Sequence, residues 1–256
     1  MCGTVVWYSL GMKQSRADQL ADQLSLDILR GVLPAGTRLP SVRSLAKAHS
    51  VSASTVQRVL MVLETRGLVR SLDRSGVVVR DPERHASLSV WPLLVRHGHE
   101  TPRLALRLLD DVLATRRTLA IDVVRAVLTG DRAVARAALA PEVAAFVDAA
   151  RAPDRSAEHL CAIEHDLLRS VLIVADRPAV LGILNGIEQV VTASPALVEA
   201  LYADPQVAAD AWASLLLLLD HADPLSLMPL LDAALTAADD KALAIVRGLF
   251  PQPETP

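Results

Sequence analysis

The segment from residue 52 to residue 67 constrains this chain most, because its pattern predicts one helix with two unlike faces. Ser52 suits the N-cap, since its hydroxyl can accept from the first turn, and Gly67 suits the left-handed residue that ends a helix. One face is apolar at helical spacing, with Val56, Val59, Leu60 and Leu63. The opposite face is small and polar near its start, with Ala53, Ser54, Gln57 and Arg58. Such a helix fits the major groove of DNA, although an ordinary amphipathic surface helix has the same pattern.

The distribution of charge favours the DNA-binding interpretation. Residues 16–80 hold 10 Lys and Arg against 5 Asp and Glu, whereas residues 81–256 hold 15 against 24. The first part is therefore attracted to phosphates, and the acidic remainder is repelled by them. Aromatic residues make up only 3% of the chain. This scarcity argues against recognition of single-stranded nucleic acid, which depends on base stacking.

The elements around this helix predict a complete DNA-binding domain. The pattern predicts a helix over residues 17–28, a short second helix that opens at Pro40-Ser41, and two β-rich runs over residues 68–72 and 77–80. The turn between the two runs contains Gly76, and Arg70 and Arg74 place positive charge on this hairpin. Three helices followed by a hairpin form a winged helix-turn-helix.

Three motifs in this part of the chain match a known family. They are Leu33-Pro-Ala-Gly-Thr-Arg-Leu-Pro-Ser-Val-Arg-Ser-Leu-Ala46, Val51-Ser-Ala-Ser-Thr-Val56 and Leu63-Glu-Thr-Arg-Gly-Leu68. With them, residues 16–80 resemble the GntR family of bacterial transcription regulators. The resemblance implies that Arg43 and the start of the recognition helix contact the operator, and that Gly76 lets the wing approach the DNA backbone. The chain departs at Ala53 and Gln57, where the family often has arginine.

We expect eight residues to contact DNA: Arg43, Ser52, Ser54, Thr55, Gln57, Arg58, Arg74 and Gly76. Arg43 and the start of the recognition helix would hold phosphates, and Ser54, Gln57 and Arg58 would reach base edges. Arg74 would follow the backbone or the minor groove from the wing. Because glutamine pairs with adenine and arginine with guanine, the operator should differ from the one common in the family.

The rest of the chain predicts helices and no strand. Residues 81–102 contain three prolines and three histidines and predict a linker with one short helical piece around residues 88–95. Helices are predicted over residues 104–128, 133–150, 157–175, 179–191, 197–202, 207–219, 225–238 and 241–250. The predicted fold is therefore mainly α, with an N-terminal arm (1–15), a winged helix-turn-helix domain (16–80), the linker (81–102), an all-α helical bundle effector domain (103–250) and a tail (251–256).

Scattered segments of the bundle resemble the effector domain of the FadR subgroup. They are residues 109–117, 164–168 and 176–186. The resemblance implies either a long-chain acyl-CoA ligand or, as in many members, a metal held by an aspartate, a histidine four residues later and two further histidines. Here Glu164 stands at the aspartate, Leu168 stands at the first histidine, and no histidine follows His221. We therefore expect no metal and no cofactor. His97 and His99 are better explained as surface histidines than as a metal pair.

Two residues of the bundle are candidates for ligand binding. Arg116 matches an arginine that faces the ligand cavity in the subgroup, and a guanidinium can clamp a carboxylate or a phosphate. A salt bridge with a carboxylate such as Glu164 is an equally good explanation of this arginine. Asn185 would line a polar part of the cavity, or its neighbourhood with Gly186 would only permit close helix packing.

These observations predict a ligand-responsive transcriptional repressor. It would bind a palindromic operator in double-stranded DNA as a homodimer, with a small-molecule effector, an acyl-CoA or an organic acid, in the bundle. Cys2 and Cys161 lack metal or redox spacing, and no apolar run is long enough to span a membrane. A cytoplasmic protein is therefore expected. A metal-dependent sensor of organic acids, a helical-bundle enzyme and a ligand-free architectural DNA-binder stay open. The enzyme is the least expected, because no nucleophile–base pair is evident.

Overall fold

The computed structural model describes residues 15–72 and 76–249. Most of the predicted arm, the predicted tail and the predicted contact Arg74 lie outside the described residues. The chain divides into two compact units, one up to Val90 and one from Trp91. Among the described residues, no single helix combines the length and the apolar character needed to cross a membrane.

The first unit begins with three helices that serine residues cap. They are α1 (Arg16–Leu29), α2 (Val42–Ala48) and α3 (Ala53–Thr65), and their N-caps are Ser15, Ser41 and Ser52. Each serine side chain accepts a hydrogen bond from a backbone N–H in the first turn of its helix. The helix predicted to follow Ser52 is therefore confirmed.

A small sheet follows α3. Strands β1 (Val69–Leu72) and β2 (Gly76–Val79) pair antiparallel, with Val69 opposite Val79. The segment that precedes α2 joins the other edge of β2 through a bridge between Arg38 and Val78. The Leu39 N–H donates to Val77 O at 2.9 Å, and the Val79 N–H donates to Thr37 O at 2.9 Å. The hairpin predicted after Gly67 is present, and a third extended segment that the sequence did not reveal adjoins it.

The core of the first unit is aliphatic. The inner face of α3 is fully buried, with Val56 0%, Val59 1% and Leu63 0% exposed. Leu68, Val69 and Val79 from the sheet and Leu20, Ala21, Leu24 and Ile28 from α1 are also buried. Arg66, the C-cap of α3, closes this core by pairing with Asp22 at 2.6 Å and donating to Ser25 Oγ at 2.9 Å. Asp22 is 6% and Ser25 0% exposed, so these buried contacts of Arg66 fix the position of α3 relative to α1.

The segment predicted as a linker is helical in part. It contains α4 (Pro82–His85), a 3-10 turn (Leu88–Val90) and α5 (Trp91–Arg96). The end of the first unit turns back over α3, since the Ser87 N–H donates to Arg66 O at 3.0 Å and Ser87 Oγ donates to Thr65 O at 3.1 Å.

In its described part, the second unit is all helical. After α5 it contains α6 (Pro102–Thr129), α7 (Arg132–Arg151), α8 (Ala157–Val174), α9 (Pro178–Val191), α10 (Pro195–Leu201), α11 (Pro205–Asp220), a 3-10 turn (Pro224–Leu227) and α12 (Met228–Leu249). Together with the first unit, these helices confirm the mainly α fold with an N-terminal winged helix-turn-helix and an all-α bundle. The two helices predicted over residues 225–238 and 241–250 are wrong, because α12 runs through the charged residues 239–241 without a break.

Leucine, valine and alanine fill the bundle, as its composition predicts. Phe146 and Leu139 of α7 and Leu160 of α8 are at most 1% exposed. Helix α7 packs closely with α8 and α11 around them. A second cluster joins α5 and α6 with α9, α10 and α12, through Val95, Leu109, Val190, Leu197 and Val246. Proline occupies the first turn of α6, α9, α10 and α11, where a missing N–H costs nothing.

Candidate nucleic-acid interface

The start of α3 presents a group of hydroxyls to solvent. Ser52 Oγ accepts from the Thr55 N–H at 3.1 Å, and it lies 2.8 Å from both Ser54 Oγ and Thr55 Oγ1. Ser52 and Ser54 are exposed, and Thr55 is half-buried. The cap that makes the helix begin at this residue therefore also fixes three hydroxyls at the helix end that would enter DNA.

The next turn of α3 carries two of the three side chains predicted to read bases. Gln57 and Arg58 are both exposed, while their neighbours Val56 and Val59 are buried in the core. The backbone thus divides α3 into a packed face and a solvent face. The side chain of Arg58 is 64% exposed and lies 3.8 Å from Asp18 of α1. An exposed ion pair at this distance is weak, so the guanidinium can reorient at little cost.

Arg43 lies on the solvent side of α2. It is exposed, whereas Leu45 of the same short helix is buried at 5%. Ser41 caps this helix and accepts from the Ser44 N–H at 3.2 Å. Within the ranges that the structure describes, the Arg43 side chain forms no ion pair, so its charge is available to a phosphate.

The wing, formed by β1 and β2, has two features: a glycine at a position that disfavours a side chain, and a cationic outer face. Gly76 has φ +83°, and a Cβ there would meet no atom within 4 Å, so its backbone is both left-handed and open to approach. Val78 of β2 pairs with Arg70 of β1 at one edge and with Arg38 of the segment before α2 at the other, and both arginines are exposed. Residues directly opposite in a sheet share a face, so the two arginines lie on the same side of the wing. Sequence reasoning missed Arg38, because nothing local shows that residues 37–39 join the sheet.

Arg116 of the second unit is held by a carboxylate that the sequence did not suggest. Its Nη2 donates to Asp239 Oδ1 at 2.6 Å, and Arg117 Nη1 donates to Asp239 Oδ2 at 3.2 Å. Asp239 is only 2% exposed, so a buried carboxylate of α12 accepts from two guanidiniums of α6. Arg116 therefore forms a salt bridge, as one of its two explanations predicts, but with Asp239. Glu164, the example that the sequence suggested, bonds to Tyr202 and Trp212 instead. Arg116 Nε is buried and has no hydrogen-bond partner in the described part of the chain.

The second predicted ligand residue, Asn185, belongs to an exposed polar group between α8 and α9. Its Oδ1 accepts from Arg169 Nε at 3.3 Å. Arg169 also pairs with Asp166 at 2.7 Å and with Glu188. The structure therefore does not bring Asn185 and Arg116 together in one set of hydrogen bonds.

Glu164 is the centre of a partly buried polar cluster in the bundle. It accepts from Trp212 Nε1 at 2.8 Å and from the Tyr202 hydroxyl. Burial, with the Glu164 charge in second place, raises the pKa of Tyr202 far above its ordinary value. Burial also raises the pKa of Cys161 from 9.0 to about 11. His165 is 5% exposed, and its Nδ1 donates to the Cys161 carbonyl oxygen at 2.7 Å. No group of three or more His, Cys, Asp or Glu among the described residues could hold a metal ion.

Comparison with known proteins supports the assignment of the first unit. Residues 16–79 match the family described as bacterial regulatory proteins, gntR family. The chain is similar to the HTH-type transcriptional regulator Mce2R of Mycobacterium tuberculosis, at 38% identity over 87 residues that cover 34% of this chain and 36% of that protein. It is also similar to the HTH-type transcriptional regulator YjiR of Escherichia coli, at 42% identity over 31% of this chain and 16% of that protein. The chain thus matches about a third or less of the length of these relatives.

Solved structures resemble the chain only weakly over its whole length. Streptococcus agalactiae GntR matches with a TM-score of 0.37 and 18% identity over 91% of this chain and 98% of that one. Lar, which controls expression of the agr system of Listeria monocytogenes, matches with a TM-score of 0.46 and 14% identity over 93% and 99%.

Proposed function

We propose that this chain, whose residues 16–79 form a gntR-family helix-turn-helix domain, is a DNA-binding transcriptional regulator and not an enzyme. It acts in the cytoplasm as a repressor, and a small molecule bound by the helical unit controls its affinity for DNA. The observation that carries the proposal is the division of α3 into a buried apolar face and an exposed polar one with Gln57 and Arg58. A helix of this kind, supported by α1 and the wing, fits a major groove.

The contacts divide by chemistry into those that position the protein and those that read sequence. Arg43 and the hydroxyls of Ser52 and Thr55 bind phosphates, which fix the register of α3 but carry no sequence information. Ser54, Gln57 and Arg58 reach base edges. Gly76 lets the wing approach the backbone, and Arg74 contacts the backbone or the minor groove.

The operator is a palindrome bound by a homodimer. Two recognition helices related by a two-fold axis enter successive major grooves about 34–36 Å apart, which sets the spacing of the half-sites. Gln57 stands where the family often has arginine, so each half-site includes an adenine at the corresponding position.

The effector is an anion with a long apolar part, such as an acyl-CoA. Two features support this assignment: the aliphatic interior of the bundle and the guanidinium of Arg116 at the contact of α6 with α12. A metal-dependent sensor of an organic acid is the alternative within the family. Mass spectrometry of ligand that co-purifies with the protein, together with elemental analysis, distinguishes the two. An acyl-CoA without metal supports the proposal, and a stoichiometric metal with a small acid overturns this part of it.

DNA binding itself is tested by affinity as a function of salt. The logarithm of the association constant should fall linearly with the logarithm of salt concentration, with a slope of about −0.9 for each phosphate contacted. A selected operator should bind more tightly than mixed-sequence duplex, and Gln57→Ala should remove much of that preference while leaving the salt slope unchanged. The matched control Gln23→Ala changes an exposed glutamine of α1 and should have no effect. Absence of duplex binding at low salt would overturn the proposal.

A further inference from the structure

An open cleft lies between the starts of α1 and α3. It is lined by Ser15, Arg16, Ala17, Ser54, Thr55 and Arg58. Three of these residues belong to the start of α3. The other three are the N-cap and the first two residues of α1, a helix to which we assigned no DNA contact from the sequence. The cleft therefore extends the candidate interface onto a second element.

The lining of the cleft is suited to an anion. Arg16 is exposed and forms no side-chain hydrogen bond or ion pair with any other described residue. Arg58 reaches the cleft from α3 with its side chain 64% exposed. Ser54 and Thr55, which carry hydroxyls, line the same cleft. The lining thus combines two cations with hydroxyl donors, which are the groups that bind the acceptor oxygens of a phosphate.

The position of Arg16 is not explained by folding. It is the first residue of α1, where the positive end of the helix dipole disfavours a cation. The acid that suits this turn, Asp18, is present two residues later, and it already accepts from Ser15 Oγ at 2.6 Å. Arg16 therefore contributes a charge that α1 does not need.

Asp18 is the acidic residue that pairs with Arg58 beside this cleft. Its Oδ1 lies 3.8 Å from Arg58 Nη2, with the two side chains 43% and 64% exposed. In solvent such a pair is weak, so Arg58 can exchange Asp18 for another anion at little cost. In the free protein, Asp18 thus occupies Arg58 loosely and competes with any anion that enters.

We propose that this cleft binds a backbone phosphate of the duplex that α3 recognises, with Arg16 as the second cation beside Arg58, whose five N–H donors allow it to contact this phosphate and a base edge together. The inference rests on the proposed function, because it assigns a further contact to the same interface. The phosphate displaces Asp18 from Arg58, so Asp18 limits the affinity of the free protein for every duplex. As the contact is to phosphate, it carries no base preference.

The test compares variants of the full chain on a mixed-sequence duplex of about 30 base pairs across a range of salt concentrations. Arg16→Gln should weaken binding several-fold at low salt and reduce the magnitude of the salt slope by about 0.9, the loss of one phosphate contact. Arg84→Gln removes the same charge from a side chain that is 79% exposed on α4, and it should leave the slope unchanged. Arg16→Lys keeps the charge and should restore most of the affinity.

A second pair of variants tests the role of Asp18. Asp18→Asn should strengthen binding to every duplex, because it removes the competing carboxylate while an amide can still accept from Ser15. Glu83→Gln, which removes an exposed charge on α4, should have a smaller effect.

The outcomes separate this inference from the proposed function. If the unaltered chain binds duplex but Arg16→Gln has the same slope and affinity as Arg84→Gln, the cleft is only a solvated surface and the inference is wrong. If the unaltered chain binds no duplex, the proposed function and the phosphate cleft both fall.

Discussion

Gly31 and Gly67 have the same backbone conformation, but we expect substitution by alanine to destabilise the protein far more at Gly67 than at Gly31. Gly31 has φ +75° and Gly67 has φ +73°, so alanine at either position adopts a left-handed conformation that costs roughly 1–2 kcal/mol. A Cβ on Gly31 would meet no atom within 4 Å. A Cβ on Gly67 would lie 1.9 Å from the His85 carbonyl oxygen and 2.9 Å from its carbon. The backbone of α4 must therefore move for Gly67→Ala and not for Gly31→Ala.

The difference between the two variants isolates the cost of that movement. The conformational cost of alanine is shared, and so is its effect on the unfolded chain, so both cancel on subtraction. What remains is the displacement of a backbone segment, for which overpacking typically costs about 1–3 kcal/mol. Because Ser87 bonds to the end of α3 just beyond this contact, the displacement should loosen α3 as well.

Native-state hydrogen exchange measured by mass spectrometry on the full chain gives the required local free energies. Peptides from α1 and α3 should lose protection by about 1–3 kcal/mol more in Gly67→Ala than in Gly31→Ala. Peptides from α7 and α8, in the second unit, serve as the internal reference. Equal loss of protection in the two variants would refute the reasoning, since it would mean that the His85 carbonyl does not constrain residue 67.

Three further predictions concern the bundle and the recognition helix. Asp239→Asn should destabilise the second unit by roughly 1.5–3 kcal/mol in urea unfolding, because two arginines lose the charge of a buried carboxylate. The control is Asp232→Asn, which should cost less than about 1 kcal/mol because the Asp232 side chain is 61% exposed. Cys161 is 2% exposed, and burial raises its pKa from 9.0 to about 11, so its alkylation at pH 8 should be at least ~10-fold slower in the folded than in the unfolded chain. Peptide mapping that finds equal rates would contradict this. Gln57→Arg should shift the preferred base at one operator position from adenine to guanine in a selection experiment, and an unchanged preference would show that residue 57 does not read a base.

Local signals made the first unit predictable from sequence. Serine caps, 3.6-residue periodicity and a left-handed glycine all act within a few residues, so the sequence determines where α3 begins, where it ends and which face is buried. The exposure of Gln57 and Arg58 follows from the same periodicity. The contact that we propose for Arg16 of α1 does not follow from it, because Arg16 approaches α3 only through tertiary packing.

The same limit explains the errors in the second unit. Residues 239–241, Asp-Asp-Lys, are polar and predict a break between helices, yet α12 continues through them. The reason lies more than a hundred residues away, where Arg116 and Arg117 of α6 neutralise Asp239 and allow it to be buried. A buried charge is tolerated only with such a partner, and no local pattern identifies one so distant.

The arrangement around Arg116 restricts how a ligand can act on the bundle. Asp239 already neutralises this guanidinium, so an anion that replaced Asp239 would leave a buried carboxylate with only Arg117, at a substantial cost. An anion that instead accepts from Arg116 Nε, which has no partner within the described residues, would keep the pair intact and add a third contact. The first route would separate α6 from α12, and the second would tighten their contact. If an effector acts at Arg116, as we propose, it can shift the population between two arrangements of this bundle only by binding them with different affinity.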